Sequence, residues 1–371
     1  MREATNKKVI AIAKNFELQG DLVQVNRWGN GHINDTFILI YQIGKMGRIK
    51  IILQKMNKNV FPKPVELMEN IMNVTDFLYK KIEDAGGDPL RETLNVIPAK
   101  TGEPYYIDEE GEYWRAYTYI TDARSFDSPE SASDFYESGY LFGKFQSMLS
   151  DYPAETLYET IEKFHDTRDR FARFKKAVDE DVMGRAAEVQ DEIQFVLERE
   201  ADASFFMELI DKKEIPIRVT HNDTKLNNIM LDNITRKGVC VVDLDTVMPG
   251  LAAYDFGDSI RSGANTAAED EKNLKKVSCD MKLFKAYTKG FLAGCGADLT
   301  ELEIDLLPMG AKIMTFECGM RFLTDYLQGD VYFKTSRLEH NLDRARNQFK
   351  LVSDMEDKWE TMQEIVAKYK K

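Results

Sequence analysis

The sequence changes character near residues 120–127, and this change limits the chain to a fold with two unlike parts. In the first part, alternating polar and apolar residues predict short strands. They fall at 22–25, 36–41, 50–55, 105–107 and 113–120. One helix, entered through Pro64 and running to Lys81, separates the third strand from the last two. The first part therefore predicts a small antiparallel sheet with a helix.

The second part is dominated by long amphipathic segments that predict helices. They fall at 130–150, 187–211, 280–294, 301–329 and 338–370. Short strands around 218–219 and 239–243 interrupt them. We therefore predict an α+β fold with two lobes, a small antiparallel sheet lobe and a mostly helical lobe. Residues 1–121 would form the β-rich lobe, and residues 122–371 the mostly helical lobe.

Composition excludes several classes of function. The chain has 371 residues, long enough for two lobes, with 50 Lys and Arg against 63 Asp and Glu, so its net charge is -13. Such acidity argues against a nucleic-acid or anionic-membrane partner. The four cysteines lack CxxC spacing, so we expect neither a zinc site nor a disulfide framework. With no signal-peptide core and no apolar run of about 18 residues, a cytoplasmic location is expected.

Residues 221–228 and 239–243 carry the chemistry. Asp223 is followed five positions later by Asn228, and Asp243 ends an apolar run 20 residues after Asp223. This is the spacing of phosphoryl-transfer enzymes, in which the first Asp is the base and the other two residues hold magnesium against nucleotide phosphates. Oxygen donors suit Mg²⁺. The alternative, a solvated Asn/Asp-rich turn, does not account for all three positions at once.

Four neighbours of this motif have predicted roles. Lys225 would neutralise charge on the transferred phosphate, with a solvated lysine as the alternative. Asp245 would share a face with Asp243 if the segment is extended, and would either bind a second metal ion or brace the loop. His221 is expected to hydrogen-bond the loop backbone. Asp255, although followed by Phe and Gly, is interpreted as a helix N-cap or a loop-bracing acid.

The nucleotide lobe departs from the protein-kinase pattern. The glycine turn 29–32 would cover phosphates with backbone N–H groups, or would be an ordinary hairpin turn. The third strand should carry a lysine for the phosphates, but Gln54 occupies the inward position and Lys55 the opposite face. The sequence therefore does not decide which residue of this strand contacts the phosphates. It also does not decide whether Glu66 or Glu69 of the following helix pairs with that residue.

Two polar clusters lie in the helical part. One is residues 164–167, and the other contains Arg321, Asp325 and Tyr332. Arg321 and Asp325 are i,i+4 neighbours on a helix. Spacing alone favours a surface ion pair with aromatic packing.

Several longer strings strengthen the interpretation. They are 29–34, 53–57, 164–167, 220–228, 242–246, 255–261 and 317–322. With these strings the chain resembles the bacterial N-acetylhexosamine 1-kinases, within the aminoglycoside phosphotransferase and choline kinase-like branch of the protein kinase-like superfamily. The resemblance extends over nearly the whole chain and implies the α+β, protein kinase-like two-lobe fold. It implies that residues 1–121 form the nucleotide-binding lobe, and that residues 122–371 carry the catalytic loop and the sugar site.

The resemblance implies an ATP- and Mg²⁺-dependent kinase that makes the 1-phosphates of N-acetylglucosamine and N-acetylgalactosamine. Asp223 would be the base and Asn228 and Asp243 the metal ligands, with Lys225 and Asp245 nearby. The implied nucleotide-binding residues are Gly29, Gly31, Asn34 and Gln54. The implied sugar-binding residues are His32, Arg321, Tyr332 and Arg261. The Gln at the third-strand position is typical of this branch.

Two other functions remain open at this point. The chain could be a kinase for another small hydroxyl compound, such as an aminoglycoside, choline, homoserine or methylthioribose. It could also be an inactive nucleotide-binding protein, since loss of the third-strand lysine is typical of such proteins. All three catalytic positions are filled, which disfavours the inactive protein.

Overall fold

The computed structural model describes residues 2–28 and 34–370. The N-terminal part contains three helices and six strands among the described residues. They are α1 (Arg2–Ala13), β1 (Asp21–Arg27), β2 (Asp35–Ile43), β3 (Gly47–Lys55), α2 (Pro64–Asp84), α3 (Pro89–Glu92), β4 (Val96–Ile97), β5 (Tyr106–Ile107) and β6 (Tyr113–Thr118).

These strands form one antiparallel sheet in the order β1-β2-β3-β6-β4, with β5 also paired to β6. The glycines at 44 and 47, both at positive φ, allow the tight turn between β2 and β3. The expected strands and helix are confirmed, but β4 was not predicted, because two residues are too short to show alternation.

Each face of the sheet is covered. Phe37, Leu39 and Leu53 pack with Val9 and Ile12 of α1 in one buried cluster. On the other face, Tyr117 packs in the cluster that contains the buried residues of α2 and much of the C-terminal part. The sheet is therefore joined to the rest of the molecule through the face that α2 covers.

The C-terminal part is mostly helical. Its elements among the described residues are β7 (Ala123–Arg124), α4 (Ala132–Met148), α5 (Thr167–Glu180), α6 (Gln190–Leu197), α7 (Glu200–Asp211), β8 (Arg218–Thr220), β9 (Ile229–Asp232), β10 (Gly238–Val241), β11 (Met248–Gly250), α8 (Ala252–Gly263), α9 (Met281–Cys295), α10 (Glu301–Asp305), α11 (Leu307–Gln328), α12 (His340–Asp357) and α13 (Trp359–Tyr369). The predicted α+β, kinase-like two-lobe fold is confirmed. The division at 121/122 stays a prediction.

Three of the predicted long helices are each two helices. The segments 187–211, 301–329 and 338–370 break into α6 and α7, α10 and α11, and α12 and α13. Apolar periodicity continues across each break, so the sequence pattern does not reveal it. Helix α5, which was not predicted, begins after Asp166, whose side chain caps it by accepting from the Asp169 backbone N–H.

Two small sheets place the loops that carry the motif residues. Strands β8 and β11 pair with each other, and β9 pairs with both β7 and β10. The segment 221–228, named the catalytic loop for its predicted role, connects β8 to β9, and the turn around Asp243 connects β10 to β11. Strands β9 and β11 were not predicted, because their few residues lack a clear alternating pattern.

No helix in the described ranges 2–28 and 34–370 is long and apolar enough to cross a membrane. The four cysteines are free thiols, and three of them are buried.

Asp108 ties α1 to the β5–β6 hairpin. One of its carboxylate oxygens accepts from the backbone N–H groups of Glu110 and Glu112, and the other accepts from the Trp114 indole N–H at 2.9 Å. Lys8 lies 3.0 Å from the same carboxylate. Burial would raise the pKa of Asp108, but these hydrogen bonds and the ion pair lower it to about 2.

We expect Asp108→Ala to lower the free energy of unfolding by about 1–3 kcal/mol at pH 7, because it leaves buried donors unpaired. A folded pKa near 2 means that the stabilisation is present above the unfolded pKa of about 4 and is lost as pH falls towards 2. Urea unfolding at several pH values measures the difference, which should shrink below pH 4. Asp151→Ala, which removes an exposed ion pair with Lys81, is the control and should cost less than about 1 kcal/mol.

Candidate active site

The loop between β8 and β9 presents Asp223 to the cleft. Lys225 Nζ lies 2.9 Å from Asp223 Oδ1, and the Asn228 side-chain amide donates to Asp223 Oδ2 at 2.9 Å. The same Asn228 amide also donates to the Asp223 carbonyl at 2.7 Å. Asp223 raises the pKa of Lys225, which therefore stays protonated. The structure thus brings together three of the predicted residues and holds the Asp223 carboxylate in one orientation.

Asp243 lies on a turn that is tied to this loop. The Val242 backbone N–H donates to the Asn228 carbonyl at 2.8 Å. Asp243 itself has φ 61° and ψ 60°, in the left-handed region, and a 3-10 turn over Leu244–Thr246 follows. Because the segment is not extended, the predicted common face of Asp243 and Asp245 is wrong. The left-handed residue turns the chain, and Asp245 is directed towards the sheet of the N-terminal part.

Asp245 is buried and makes its contacts there. One of its oxygens forms an ion pair with Arg115 of β6, and the other accepts from the Asn34 amide at 2.8 Å. Of the two predicted roles, bracing therefore fits these contacts better than binding a second metal ion, since both oxygens already have partners.

The pKa of Asp243 reflects the crowding of acids in the cleft. Much of the residue is open to solvent, but its carboxylate loses hydration in the cleft and is repelled by Asp245 and Asp223. These effects raise its pKa to about 7, although Arg115 and Lys225 oppose them. A bound cation would relieve this repulsion.

The oxygen donors Asp243 and Asn228 fit a magnesium ion. No group of three or more His, Cys, Asp or Glu side chains in the described part of the chain could hold a metal by itself. Mg²⁺ is usually bound by one or two protein oxygens together with substrate phosphates and water. The donor set is therefore sufficient for a metal ion that arrives with a nucleotide.

Asp255 of helix α8 holds the start of the catalytic loop by accepting hydrogen bonds from its backbone. This fully buried carboxylate accepts from the backbone N–H groups of His221 at 3.0 Å and Asn222 at 2.8 Å, and from the Gln146 amide at 2.6 Å. Asp255 lies inside the first turn of α8, and Leu251 occupies the N-cap position. The loop-bracing interpretation is therefore confirmed, and the N-cap interpretation is wrong.

The next turn of α8 holds the other side of the loop. Asp258 accepts from the Thr224 backbone N–H at 3.0 Å, and the Ser259 hydroxyl donates to the Thr224 carbonyl at 2.6 Å. Arg261, predicted to contact substrate, is almost fully buried and pairs with Asp258 and Glu269 at 2.9 and 2.8 Å. In the structure, Arg261 therefore orients Asp258, which in turn accepts a hydrogen bond from the loop.

His221 is structural, as expected. Its Nε2 lies 2.9 Å from the Val242 carbonyl, and its Nδ1 accepts from the Asp223 backbone N–H at 3.3 Å. A carbonyl only accepts, so Nε2 carries the proton. The ring therefore connects the catalytic loop to the turn that carries Asp243.

On the nucleotide side, Gln54 and Asn34 are engaged with protein groups. The Gln54 amide donates to the Thr36 hydroxyl at 3.0 Å and accepts from Arg115 Nε at 3.0 Å. The Asn34 side-chain oxygen accepts from the Asn57 backbone N–H at 3.0 Å. Gly29, Gly31 and His32 lie outside the described residues. Glu69, on the exposed side of α2, lies 3.5 Å from the Tyr158 hydroxyl.

Arg115 was not predicted as a site residue. It pairs across the sheet with Gln54, and only 1% of its surface is exposed. The available signal was a charged residue between Trp114 and Ala116 in an otherwise apolar strand. Such a residue, if its strand is buried on both faces, needs a buried partner of opposite charge.

Arg321 lies in an aromatic setting on α11. Its guanidinium is 5.7 Å from the ring centroids of Phe164 and Tyr332 and 5.4 Å from that of Phe333. Asp325 instead accepts from the backbone N–H groups of 331–333. The predicted ion pair between Arg321 and Asp325 is therefore wrong, because the Asp325 carboxylate accepts hydrogen bonds from the loop that carries Tyr332.

A second cluster connects Arg321 to the catalytic loop. His165 contacts the buried Glu317 at 2.9 Å through Nδ1 and the Asn222 carbonyl at 3.3 Å through Nε2. Arg170, which was not predicted, is close enough to Arg321 that burial and this like charge lower its pKa. Two arginines therefore lie close together beside the buried Glu317, although the whole chain is acidic.

We expect Asp255→Asn to loosen the catalytic loop, because an amide nitrogen cannot accept from a backbone N–H. The free energy of unfolding should fall by about 1–3 kcal/mol, and the amides of His221 and Asn222 should exchange hydrogen faster. Asp280→Asn is the matched control. Asp280 also accepts from two backbone amides, at the start of α9, where Asn caps equally well. Unchanged exchange in Asp255→Asn would contradict the bracing role.

Comparison with known proteins agrees with this geometry. Residues 95–276 match the Phosphotransferase enzyme family (APH). An aminoglycoside phosphotransferase from Alicyclobacillus acidocaldarius subsp. acidocaldarius DSM 446 superposes with a TM-score of 0.60 at 11% identity, covering 96% of both chains. A choline kinase from Cryptosporidium parvum Iowa II gives 0.58 at 15% identity over 97% of both chains.

An amicoumacin kinase, solved in complex with AMP-PNP and Ca²⁺, gives a TM-score of 0.58 at 13% identity over 96% of both chains. At these identities the similarity establishes the fold, which spans nearly the full length of each chain. The chain therefore has the kinase-like two-lobe fold, and its residues 95–276 match the model of the phosphotransferase enzyme family.

Proposed function

We propose that this protein is an ATP-dependent kinase that phosphorylates the anomeric hydroxyl of N-acetylglucosamine or N-acetylgalactosamine. The observation that supports phosphoryl transfer is the arrangement around Asp223, whose carboxylate is held by Lys225 and Asn228 beside Asp243. The family match at 95–276 includes all four residues.

In the proposed reaction, the substrate hydroxyl oxygen attacks the γ-phosphorus in line with the bond to ADP. The new O–P bond forms as the bond to the leaving ADP oxygen breaks, and the hydroxyl proton passes to Asp223. An anomeric hydroxyl is more acidic than an ordinary alcohol, which helps a carboxylate to act as base. Asp223 is restrained by Asn228, so the base needs little reorientation.

Lys225 has two roles in this proposal. Without nucleotide it pairs with Asp223, and its pKa is raised, so it remains a cation. When the γ-phosphate is present, the Nζ group would stabilise the charge on the transferred group. Its side chain is partly exposed, so it is free to move between these partners.

Asn228 and Asp243 would hold Mg²⁺, which supplies charge neutralisation for the nucleotide phosphates when bound. Asp245 is kept as a candidate for a second metal ion only if its contact with Arg115 breaks. The amicoumacin kinase with this fold binds AMP-PNP with Ca²⁺, which supports a nucleotide and a divalent cation here.

The nucleotide would bind between the lobes. Gly29 and Gly31 would supply backbone N–H groups to phosphate, and Asn34 and Gln54 would border that site. A cytoplasmic location fits the use of ATP and the free thiols.

The acceptor side favours a neutral sugar over a cationic substrate. Arg321 and Arg170 lie close together, and Arg321 is within reach of Tyr332. Two arginines repel the cationic groups of choline and of aminoglycosides, whereas they donate to hydroxyl and acetamido oxygens. We propose that Arg321, Tyr332 and His32 contact the sugar. Arg261 is buried and forms ion pairs with Asp258 and Glu269, so it would influence binding of the N-acetyl group through these two acids.

We expect Asp223→Asn to lower kcat by about 100- to 10,000-fold, because the amide cannot accept the proton, while nucleotide binding stays intact. Coupled ADP release with N-acetylglucosamine measures turnover, and calorimetry with AMP-PNP and Mg²⁺ measures binding. Asp166→Asn, at the start of α5, is the control because Asn caps a helix as well as Asp. Near-normal turnover of the Asp223 variant would refute the base assignment. ³¹P NMR locates the phosphate, and phosphate at C6 would refute anomeric transfer.

We expect Arg321→Ala to raise the KM for the sugar about 10- to 100-fold, since charge-assisted hydrogen bonds are worth about 1.5–3 kcal/mol, with the KM for ATP unchanged. A panel of N-acetylhexosamines, choline, homoserine and an aminoglycoside separates the alternatives. A higher kcat/KM of the wild-type protein for a cationic compound than for any sugar would contradict the neutral-sugar proposal. Arg168→Ala, on the exposed face of α5, is the control.

A further inference from the structure

The ion pair between Arg115 and Asp245 links the two lobes at the metal turn. Arg115 is on β6 of the N-terminal sheet, and Asp245 is in the 3-10 turn directly after Asp243. Both side chains are almost completely buried, with 2% and 4% exposed. Burial by itself lowers the pKa of Arg115, but the charges of Asp245 and Asp243 and the hydrogen bond to Asp245 together raise it, so Arg115 stays protonated.

Each partner is held by a further group of the N-terminal part. Arg115 Nε donates to Gln54 at 3.0 Å, and the Asn34 amide donates to Asp245 at 2.8 Å. Gln54 also donates to Thr36. A chain of hydrogen bonds therefore runs from β2, through β3 and β6, to the turn that presents Asp243.

Arg115 stands beside the position where a protein kinase has its phosphate-binding lysine, since it pairs with Gln54 across the sheet. Its burial at 1% exposure keeps it away from any ligand in the cleft. It is nevertheless close enough to Asp243 to lower the pKa of that carboxyl. A buried cation in this place acts through protein groups and not by touching phosphate.

We propose that Arg115 is a positioning residue for the metal site. Its ion pair with Asp245 fixes the left-handed conformation of Asp243 and aligns it with the nucleotide lobe. Asp245 is thereby an anchor for the turn and not a ligand of a second metal ion. The inference rests on the proposed function, because it assumes that Asp243 binds Mg²⁺ with a nucleotide.

Three variants test it, with binding of AMP-PNP measured by calorimetry with and without Mg²⁺. Arg115→Lys keeps a positive charge for Asp245, but one ammonium cannot reproduce the planar contacts to Asp245 and Gln54. Asp245→Asn removes the charge and keeps the shape. The double variant Arg115→Met with Asp245→Asn removes both charges, so no buried charge is left unpaired.

We expect all three variants to bind Mg²⁺–AMP-PNP about 10- to 100-fold more weakly, the usual range for groups that orient metal ligands. Binding of AMP-PNP without Mg²⁺ should be unchanged, and the melting temperature of the double variant should be close to that of the wild type. A merely structural pair would change the melting temperature and leave the Mg²⁺ dependence intact. Arg199→Met with Glu356→Gln, a partly buried ion pair in the helical part, is the matched control for that effect.

Two results would overturn the proposal. One is wild-type Mg²⁺ dependence in both Arg115→Lys and the double variant. The other is weaker metal binding in Asp245→Asn together with tighter binding in Arg115→Lys, which would show that Asp245 is a ligand freed by loss of the arginine. If the unmodified protein shows no Mg²⁺-dependent nucleotide binding, both this proposal and the proposed function are refuted.

Discussion

The buried carboxylate of Asp255 is the contact on which the catalytic loop depends. It accepts two consecutive backbone N–H groups of that loop, at His221 and Asn222, inside a helix that also holds Thr224 through Asp258. A buried acid is costly unless its oxygens are hydrogen-bonded. Here the backbone N–H groups of the loop supply the hydrogen bonds that the Asp255 carboxylate needs, and the carboxylate supplies the acceptors that these N–H groups need. These shared hydrogen bonds fix the position of the loop relative to α8.

Charge in the cleft is arranged in two opposing sets. Loss of hydration and the negative charges of Asp245 and Asp223 raise the pKa of Asp243, while the positive charges of Arg115 and Lys225 oppose these effects. The acidic set suits a cation brought by a nucleotide. Elsewhere in the helical part, Arg170 and Arg321 lie close to one another in a protein with a net charge of -13. Net charge therefore describes the surface as a whole and says little about a single cleft.

The sequence predicted the residues that act through local spacing more reliably than those that act through distant contacts. Asp223, Lys225 and Asn228 lie within six positions, and the structure brings them together. Asp245 was placed on the face of Asp243 because an extended segment was assumed, and the left-handed conformation of Asp243 removes that relation. Arg115 and Gln146, whose partners lie more than 100 positions away, could not be found from spacing.

The sequence by itself determined the fold class and the candidates for the reacting groups, because alternation, helical periodicity and short motifs are local properties of the chain. Tertiary structure alone decided which acids are exposed and which are buried against hydrogen-bond donors. Asp243 is exposed to the cleft, whereas Asp245, two positions later, is buried against Arg115, and Asp255 is enclosed by the loop that it supports. Their residue type is the same, so their roles differ only through burial and through the donors that the fold brings to each carboxylate.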